Sequence, residues 1–496
     1  MRKIGVVASG SSETEALVIL TENEERRVKI EDLVEIWNKC GNKVLAVCRK
    51  GMGIDENLRV TGAFKPTIAY IRKGLAPSDA KRHFCFKVSV IADITNGFEQ
   101  NKLIIAPGSE VHAFEEKDNP MEYLKRNVNW DDEVPTIGHY KDVENWRVPV
   151  DPQFIQQHIG VFGVTGCGKS FLTKYEIIPL LRKCGYNVIV FDWKGYDYAT
   201  HPSFTDKVVR LGDMYLDDDT IVEFLASRME YFRYSGSYKR ESKPYYVLTD
   251  IIHEKPWRDH LNGIEDFRKA MEEFCSEVLS EMLECGEIRS QDKERYRKQF
   301  VRALKRIRET DLKIISGILR PKDILNLVKR LGVCVIDLSG GEKETKLSVF
   351  LSLARHIREL IERGKEELNL ALIIDEAPQY CPFNPRGVES ETTDMIKDLC
   401  AIGRAYKLCI VLISQGMAGE IGINAAVRRN LNTLFIGRIH PLDIEEAKNL
   451  LGSQGVDIDF LTKLPTGHFY FLGCMNPSPI PLLISFKPPM EETKID

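Results

Sequence analysis

The chain has 496 residues, room for about three domains, and its 43% apolar and 29% charged content describes a globular protein with a substantial core. A formal net charge of -4 excludes a uniformly basic nucleic-acid binder and confines any contact with DNA to a local basic surface. No stretch approaches the roughly 18 apolar residues of a membrane span, the N-terminal apolar run is too short for a signal peptide, and twelve cysteines without zinc-type spacing read as free thiols, so a cytoplasmic protein without membrane attachment is expected.

In chain order, residues 1–115 read as short strands, Ile4–Val7, Glu15–Leu20, Lys43–Cys48, His83–Ala92 and Lys102–Ala106, separated by Gly, Asn and Pro breaks. They predict a small N-terminal β-barrel. Residues 116–150 are polar and contain prolines, as a linker does. Residues 151–212 and 331–475 alternate strand, loop and helix, the pattern of a mainly parallel α/β sheet, with strands expected at His158–Phe162, Asn187–Phe191, Val333–Leu338, Leu370–Ile374, Leu408–Ile413 and Thr433–Gly437. Between them, residues 213–330 have little strand character and many helix formers, which predicts an inserted helical subdomain. Residues 476–496 form a short, strand-like C-terminal tail.

The chemistry centres on Gly163, Val164, Thr165, Gly166, Cys167, Gly168, Lys169 and Ser170, which match G-x-x-x-x-G-K-[ST] between a strand and a helix, with Phe171 next in the nucleotide-binding run. Glycines let successive backbone N–H groups turn inward around a phosphate, the helix offers its positive end, Lys169 reaches the β and γ phosphates, and the Ser170 hydroxyl is placed to ligate Mg²⁺. ATP and Mg²⁺ are the expected ligands. Cys167 is a small residue that fits the loop. Leu370–Ile374 ends in two carboxylates: Asp375 is assigned to the metal and Glu376 to the attacking water. Gln415, at the end of another strand, either reaches the γ phosphate or the lytic water or satisfies a loop backbone. Arg404 is either an arginine finger supplied to a neighbouring subunit or half of a structural ion pair, and Arg438 is a second candidate finger. Asp192 could support the metal and Lys194 could point to a phosphate, unless Phe191–Asp197 is a solvated turn. Lys293–Lys313 carries nine basic residues against three acids, a solvated helix face or a DNA contact, and Cys381–Gly387 offers Arg386 between prolines as a DNA-facing loop.

The order of these motifs resembles the HerA/FtsK superfamily of DNA translocases, most closely the archaeal HerA type. The resemblance rests on the phosphate loop preceded by Gln157-His158, Phe191-Asp192 with Gly195, the helical insertion, Asp375-Glu376, Gly403-Arg404 and Ser414-Gln415. It implies a RecA-like ATPase core with a HAS-barrel-like N-terminal domain, assembled as a hexameric homo-oligomer ring that moves on double-stranded DNA with a NurA-type nuclease in DNA end processing. Conjugation, genome-packaging or protein-handling ATPases are the alternatives. The chain departs from the family where Gln157 stands for the usual arginine before His158, and where Tyr196 stands for the usual acid after Gly195, with Asp197 one place later.

Overall fold

The computed structural model describes residues 1–55, 58, 71–74, 82–229, 243–364 and 367–487. The chain divides into two compact units, one of Met1–Cys184, Gln415–Ala418 and Leu431–Pro488, the other with its described residues in Gly185–Ser414 and Gly419–Asn430.

The first unit opens with β1 (Arg2–Val7), β2 (Glu15–Leu20), β3 (Leu33–Trp37), β4 (Lys43–Ile54), β5 (His83–Asp93) and β6 (Glu110–Ala113). They close as a barrel in the order β1-β2-β5-β4-β3-β6. The alternation of buried and outward residues along β2 sends Ala16, Val18 and Leu20 into a core with Ile4, Val34, Ile36, Val88 and Val111. Closure needs curvature, and β4 supplies it with register shifts at Leu45/Ala46 and Cys48/Lys50. The strand expected at Lys102–Ala106 does not form. Only Ile105 there is buried while Ile104 stays 63% exposed, and the Asn38 side chain bonds the Ile104 carbonyl (3.1 Å) and the Ala106 N–H (3.0 Å) where a ladder partner would be. The barrel instead closes through β6, which lies between β1 and β3.

The stretch expected as a linker also carries strands. β7 (Thr136–Tyr140) and β8 (Arg147–Pro149) form an antiparallel hairpin that buries Tyr140 and Val148. β9 (Ile159–Phe162) follows and leads into the phosphate loop. The helix after the loop runs as α1 (Lys169–Leu172), a π-turn (Thr173–Ile177) and α2 (Ile178–Lys183). Pro179 explains the π-turn: it has no N–H to give to the carbonyl four residues back, so the ladder widens just before it.

The second unit contains β10 (Asn187–Asp192) and β11 (Val208–Arg210), then the helices α3 (Asp218–Met229), α4 (Lys243–Glu254), α5 (Ile264–Glu284), α6 (Ser290–Leu304), α7 (Glu309–Ile315) and α8 (Pro321–Leu331). β12 (Val333–Asp337), α9 (Lys343–Glu362), β13 (Leu370–Ile374), α10 (Val388–Ile402) and β14 (Leu408–Ser414) complete it. Its strands run in the order β11-β12-β10-β13-β14, every described neighbour pair parallel. β13 and β14 are buried along their whole length, because helices cover both faces of a parallel sheet and leave no polar side to alternate.

The first unit resumes with β15 (Thr433–Ile436), β16 (His468–Gly473) and β17 (Leu482–Ser485). β15 pairs with β9 in parallel and with β16 antiparallel, and β17 lies between β16 and β7. The expected C-terminal tail thus contributes a sheet strand, Leu482–Ser485, and its part beyond residue 487 lies outside the described residues. A polar lock ties barrel to sheet within this unit. Arg49 Nη1 donates to both carboxylate oxygens of Glu31 (2.7 and 2.6 Å), its Nη2 donates to the Pro481 carbonyl (2.7 Å), and Tyr470 and Tyr140 hydroxyls donate to the Glu31 carboxylate and carbonyl.

Candidate phosphate-binding loop and carboxylate pocket

In the first unit the loop takes the shape its glycines permit. Gly163, Gly166 and Gly168 have φ of 151°, 77° and 106°, values that side chains rarely tolerate. A Cβ on Gly163 would lie 2.7 Å from Cys167 Sγ and 3.0 Å from the Arg438 carbonyl oxygen. The loop is braced on both sides: Val164 N–H donates to the Arg438 carbonyl (2.8 Å), Gly467 N–H to the Cys167 carbonyl (2.9 Å), and the Thr466 hydroxyl to the Gly166 carbonyl (3.1 Å). Among the described residues no acceptor meets the backbone N–H groups of Thr165, Gly166 and Gly168. Lys169 Nζ lies against the same loop, donating to the carbonyls of Gly163 (2.8 Å) and Val164 (3.2 Å). Unused donors, a lysine and a helix N-terminus make a chemical fit for the phosphates of ATP.

The other loop residues have graded roles. Ser170 is partly exposed in the first turn of α1, and Phe171 stacks on Tyr175 at 5.9 Å between ring centres with Lys174 Nζ 4.7 Å from its own ring. Cys167 is fully buried, and burial pushes its thiol up despite nearby Lys169 and Arg438, so it fills space and does not react. Gln415 meets this loop directly, its Oε1 accepting from the Thr165 hydroxyl at 2.9 Å. Gln157 is held by Asn432, whose Nδ2 donates to Gln157 Oε1 at 3.3 Å. His158, with φ of 69°, turns the chain into β9.

In the second unit, β10 and β13 end beside each other and bring Asp192, Asp197 and Asp375 together, with one oxygen of each within 4.8 Å of the others. Burial, then the charge of Asp197, pushes Asp375 up to about 7. Asp192 is committed to the turn: its oxygens accept from the N–H groups of Gly195 (2.9 Å), Tyr198 (2.9 Å) and Ala199 (3.0 Å). Phe191–Asp197 is therefore an ordered turn with a buried anchor. The fully buried Tyr380 hydroxyl has no hydrogen-bond partner among the described residues, and burial, then Asp375 and Asp192, holds its pKa well above the usual range. Clustered hard oxygens beside an unsatisfied hydroxyl fit an oxygen-seeking divalent cation such as Mg²⁺. Glu376 has φ of 51°, and its carboxylate pairs with Lys194 Nζ at 2.5 Å.

The remaining expected residues lie elsewhere in the second unit. Arg404 follows α10 in a short turn, and its buried Nε has no hydrogen-bond partner among the described residues. In the Cys381–Gly387 loop, Arg386 is exposed, Phe383 is 43% exposed, and a bridge from Pro382 to Ile423 holds the loop's base. The basic run on α6 is partly used internally, with Arg297 paired to Glu272 (2.9 Å) and Lys293 bonded to Ser280 (2.8 Å). Sequence reasoning missed the Lys194–Glu376 pair and the part played by Tyr380. The first had a weak signal, the Asp-x-Lys-Gly turn after a strand, and the second had none, because a single aromatic in the turn after a strand reads as packing.

Residues 135–357 match the model of the family described as "Helicase HerA, central domain". No curated protein matches the chain. Among solved structures it is similar to VirB4 of Thermoanaerobacter pseudethanolicus, at 15% identity and TM-score 0.47 over 74% of this chain and 99% of that one. It is also similar to plasmid coupling protein TrwB in complex with GDPNP, at 15% identity and TM-score 0.46 over 76% of this chain and 96% of that one. A third likeness is to the genome packaging NTPase B204 from Sulfolobus turreted icosahedral virus 2, at 13% identity and TM-score 0.30 over 66% and 96%. Among the described residues no helix is long and apolar enough to cross a membrane.

Proposed function

We propose that the chain, whose residues 135–357 match the HerA central-domain model, is a HerA/FtsK-type P-loop ATPase and a ring-forming motor that hydrolyses ATP to move on double-stranded DNA. The observation that carries the reading is the braced phosphate loop with unused N–H donors and Lys169 inside a domain of this family. In this role the loop N–H groups and Lys169 hold the phosphates. Gln415, poised on Thr165, orients the γ phosphate or the water that attacks it. Glu376 polarises that water. Mg²⁺, held by the Ser170 hydroxyl and the Asp375 carboxylate, would supply neutralisation of the phosphate charge.

Arg404 serves as the finger of a neighbouring copy in a hexameric ring. The support is its orphaned Nε together with the lack of any ion pair to it among the described residues, which argues against the structural ion pair. Work on DNA ends beside a NurA-type nuclease completes the proposed role. The test is ATP turnover with and without long duplex DNA at low and high salt. Stimulation that weakens with salt, as counterion release demands, and vanishes in Glu376→Gln supports the motor. Turnover indifferent to DNA would turn the reading toward a protein-handling ATPase.

A further inference from the structure

Glu376 is held by a second residue that the hydrolytic role does not use. Lys194 Nζ lies 2.5 Å from Glu376 Oε1, with the two side chains 37% and 16% exposed. The lysine sits on a turn fixed from several sides. Asp192 accepts three of the turn's backbone N–H groups. Lys346 Nζ donates to the Trp193 carbonyl (2.8 Å) and lies 4.5 Å from that ring. Gly195, with φ of 76°, passes so close to β12 that a Cβ would come within 2.3 Å of Asp337 Oδ1. Glu376 is equally constrained, because its left-handed backbone sets the direction in which its side chain leaves β13. An ion pair between two pre-placed ends differs from a pair of loose surface chains.

A carboxylate that takes a proton from water needs a free lone pair aimed at that water. An ammonium at 2.5 Å occupies one oxygen of Glu376 and fixes the direction of the other. Lys194 is also within reach of solvent, beside Tyr196, which is 61% exposed with its ring 6.0 Å from the ammonium. A polyanion on that surface competes with Glu376 for the same cation.

Resting on the hydrolytic reading of Glu376, we infer that Lys194 is a positioning residue that restrains Glu376 in the idle protein, and that the phosphate backbone of duplex DNA releases it by drawing Lys194 away. The test compares Lys194→Met and Lys194→Arg with the unaltered full chain, reading kcat and KM for ATP without DNA and with saturating duplex. The inference predicts that Lys194→Met raises DNA-free kcat by about fivefold, the population ratio that a pair of this exposure sustains. KM for ATP stays the same, and the stimulation ratio shrinks by a similar factor. Lys194→Arg keeps the pair and stays within about twofold of the unaltered protein on both readings. A Lys194→Met protein whose DNA-free kcat is unchanged or lower, at an unshifted melting temperature, overturns the inference. If its melting temperature falls, Lys194→Arg decides: a folded Lys194→Arg protein whose stimulation ratio has collapsed overturns it as well. Glu376→Gln separates the two levels, since wild-type turnover in that variant removes both readings, whereas a dead Glu376→Gln beside an unresponsive Lys194→Met removes the restraint alone.

Discussion

Replacing Arg49 by methionine tests how the barrel is fastened to the sheet of the first unit. Arg49 and Glu31 are each 1% exposed, and the guanidinium bonds both Glu31 oxygens and the Pro481 carbonyl beside β17. The substitution keeps most of the packing volume and removes the charge, leaving a buried carboxylate with one hydrogen bond, from Tyr470. Breaking a buried pair from one side costs about 3–5 kcal/mol, a large share of the roughly 5–15 kcal/mol that keeps a domain folded. In Arg49→Met/Glu31→Gln no charge is stranded and Tyr470 still finds an acceptor, so the loss shrinks to about 1–2 kcal/mol. The pH dependence carries its own sign. An unpaired buried carboxyl has a folded pKa above its unfolded one, so the stability it allows is present at low pH and is lost as pH rises through the folded value. The deficit of Arg49→Met is therefore larger at pH 8 than at pH 5, while that of the double variant is the same at both. Chemical unfolding of the three proteins followed by tryptophan fluorescence measures this. A loss in the double variant as large as that of Arg49→Met, or a single-variant deficit indifferent to pH, would refute the reasoning.

Asp375, pushed up to about 7, makes a contribution to the nucleotide-free and metal-free protein that is full below the unfolded value and is lost as pH rises toward 7. Asp375→Asn is therefore expected to gain thermal stability relative to the unaltered protein between pH 5 and pH 8, and a relative loss over that range in paired melting curves contradicts the assigned burial. Gly195→Ala places a Cβ 2.3 Å from Asp337 Oδ1 at a φ of 76°, and should lower the melting temperature by several degrees, for a cost on the order of 2 kcal/mol. Iodoacetamide should label the exposed Cys40, Cys285 and Cys474 and spare the buried Cys167, leaving nucleotide binding intact. Mass mapping of the labelled protein checks it. Mixing Arg404→Ala with Lys169→Ala subunits should restore part of the ATP turnover, because each intact interface then draws its finger and its loop from different copies; no recovery at any ratio counts against a finger acting between copies.

Local patterns were legible in the sequence where one physical cause dominates. The phosphate loop is one case, since glycine spacing, Lys169 and the flanking strand and helix all serve the same phosphate geometry. β13 and β14 are another, because a strand buried on both faces has to be an unbroken apolar run. Lys102–Ala106 misled for the opposite reason: its apolar residues look like a strand, yet only Ile105 reaches the core, and the Asn38 amide supplies the backbone partners. β7 and β8 were hidden because they are short and lie in a polar, proline-containing stretch, and the neighbour that ties β7 into the sheet is far away in the chain, with Tyr140 facing Ile484 across several hundred residues. Lys194 and Glu376 were each visible, but not their pairing, since β10 and β13 are joined through a long helical insertion and only the sheet register brings their ends together.

The central claim is motion along duplex DNA driven by this ATPase. Displacement of a fluorescent third strand from a triplex built on a long duplex tests it most directly, because release requires a motor to travel to the triplex and push. A motor of this kind gives ATP-dependent release that is lost in Lys169→Ala and in Glu376→Gln. Active ATP turnover on the same duplex with no strand released at any salt concentration would contradict it.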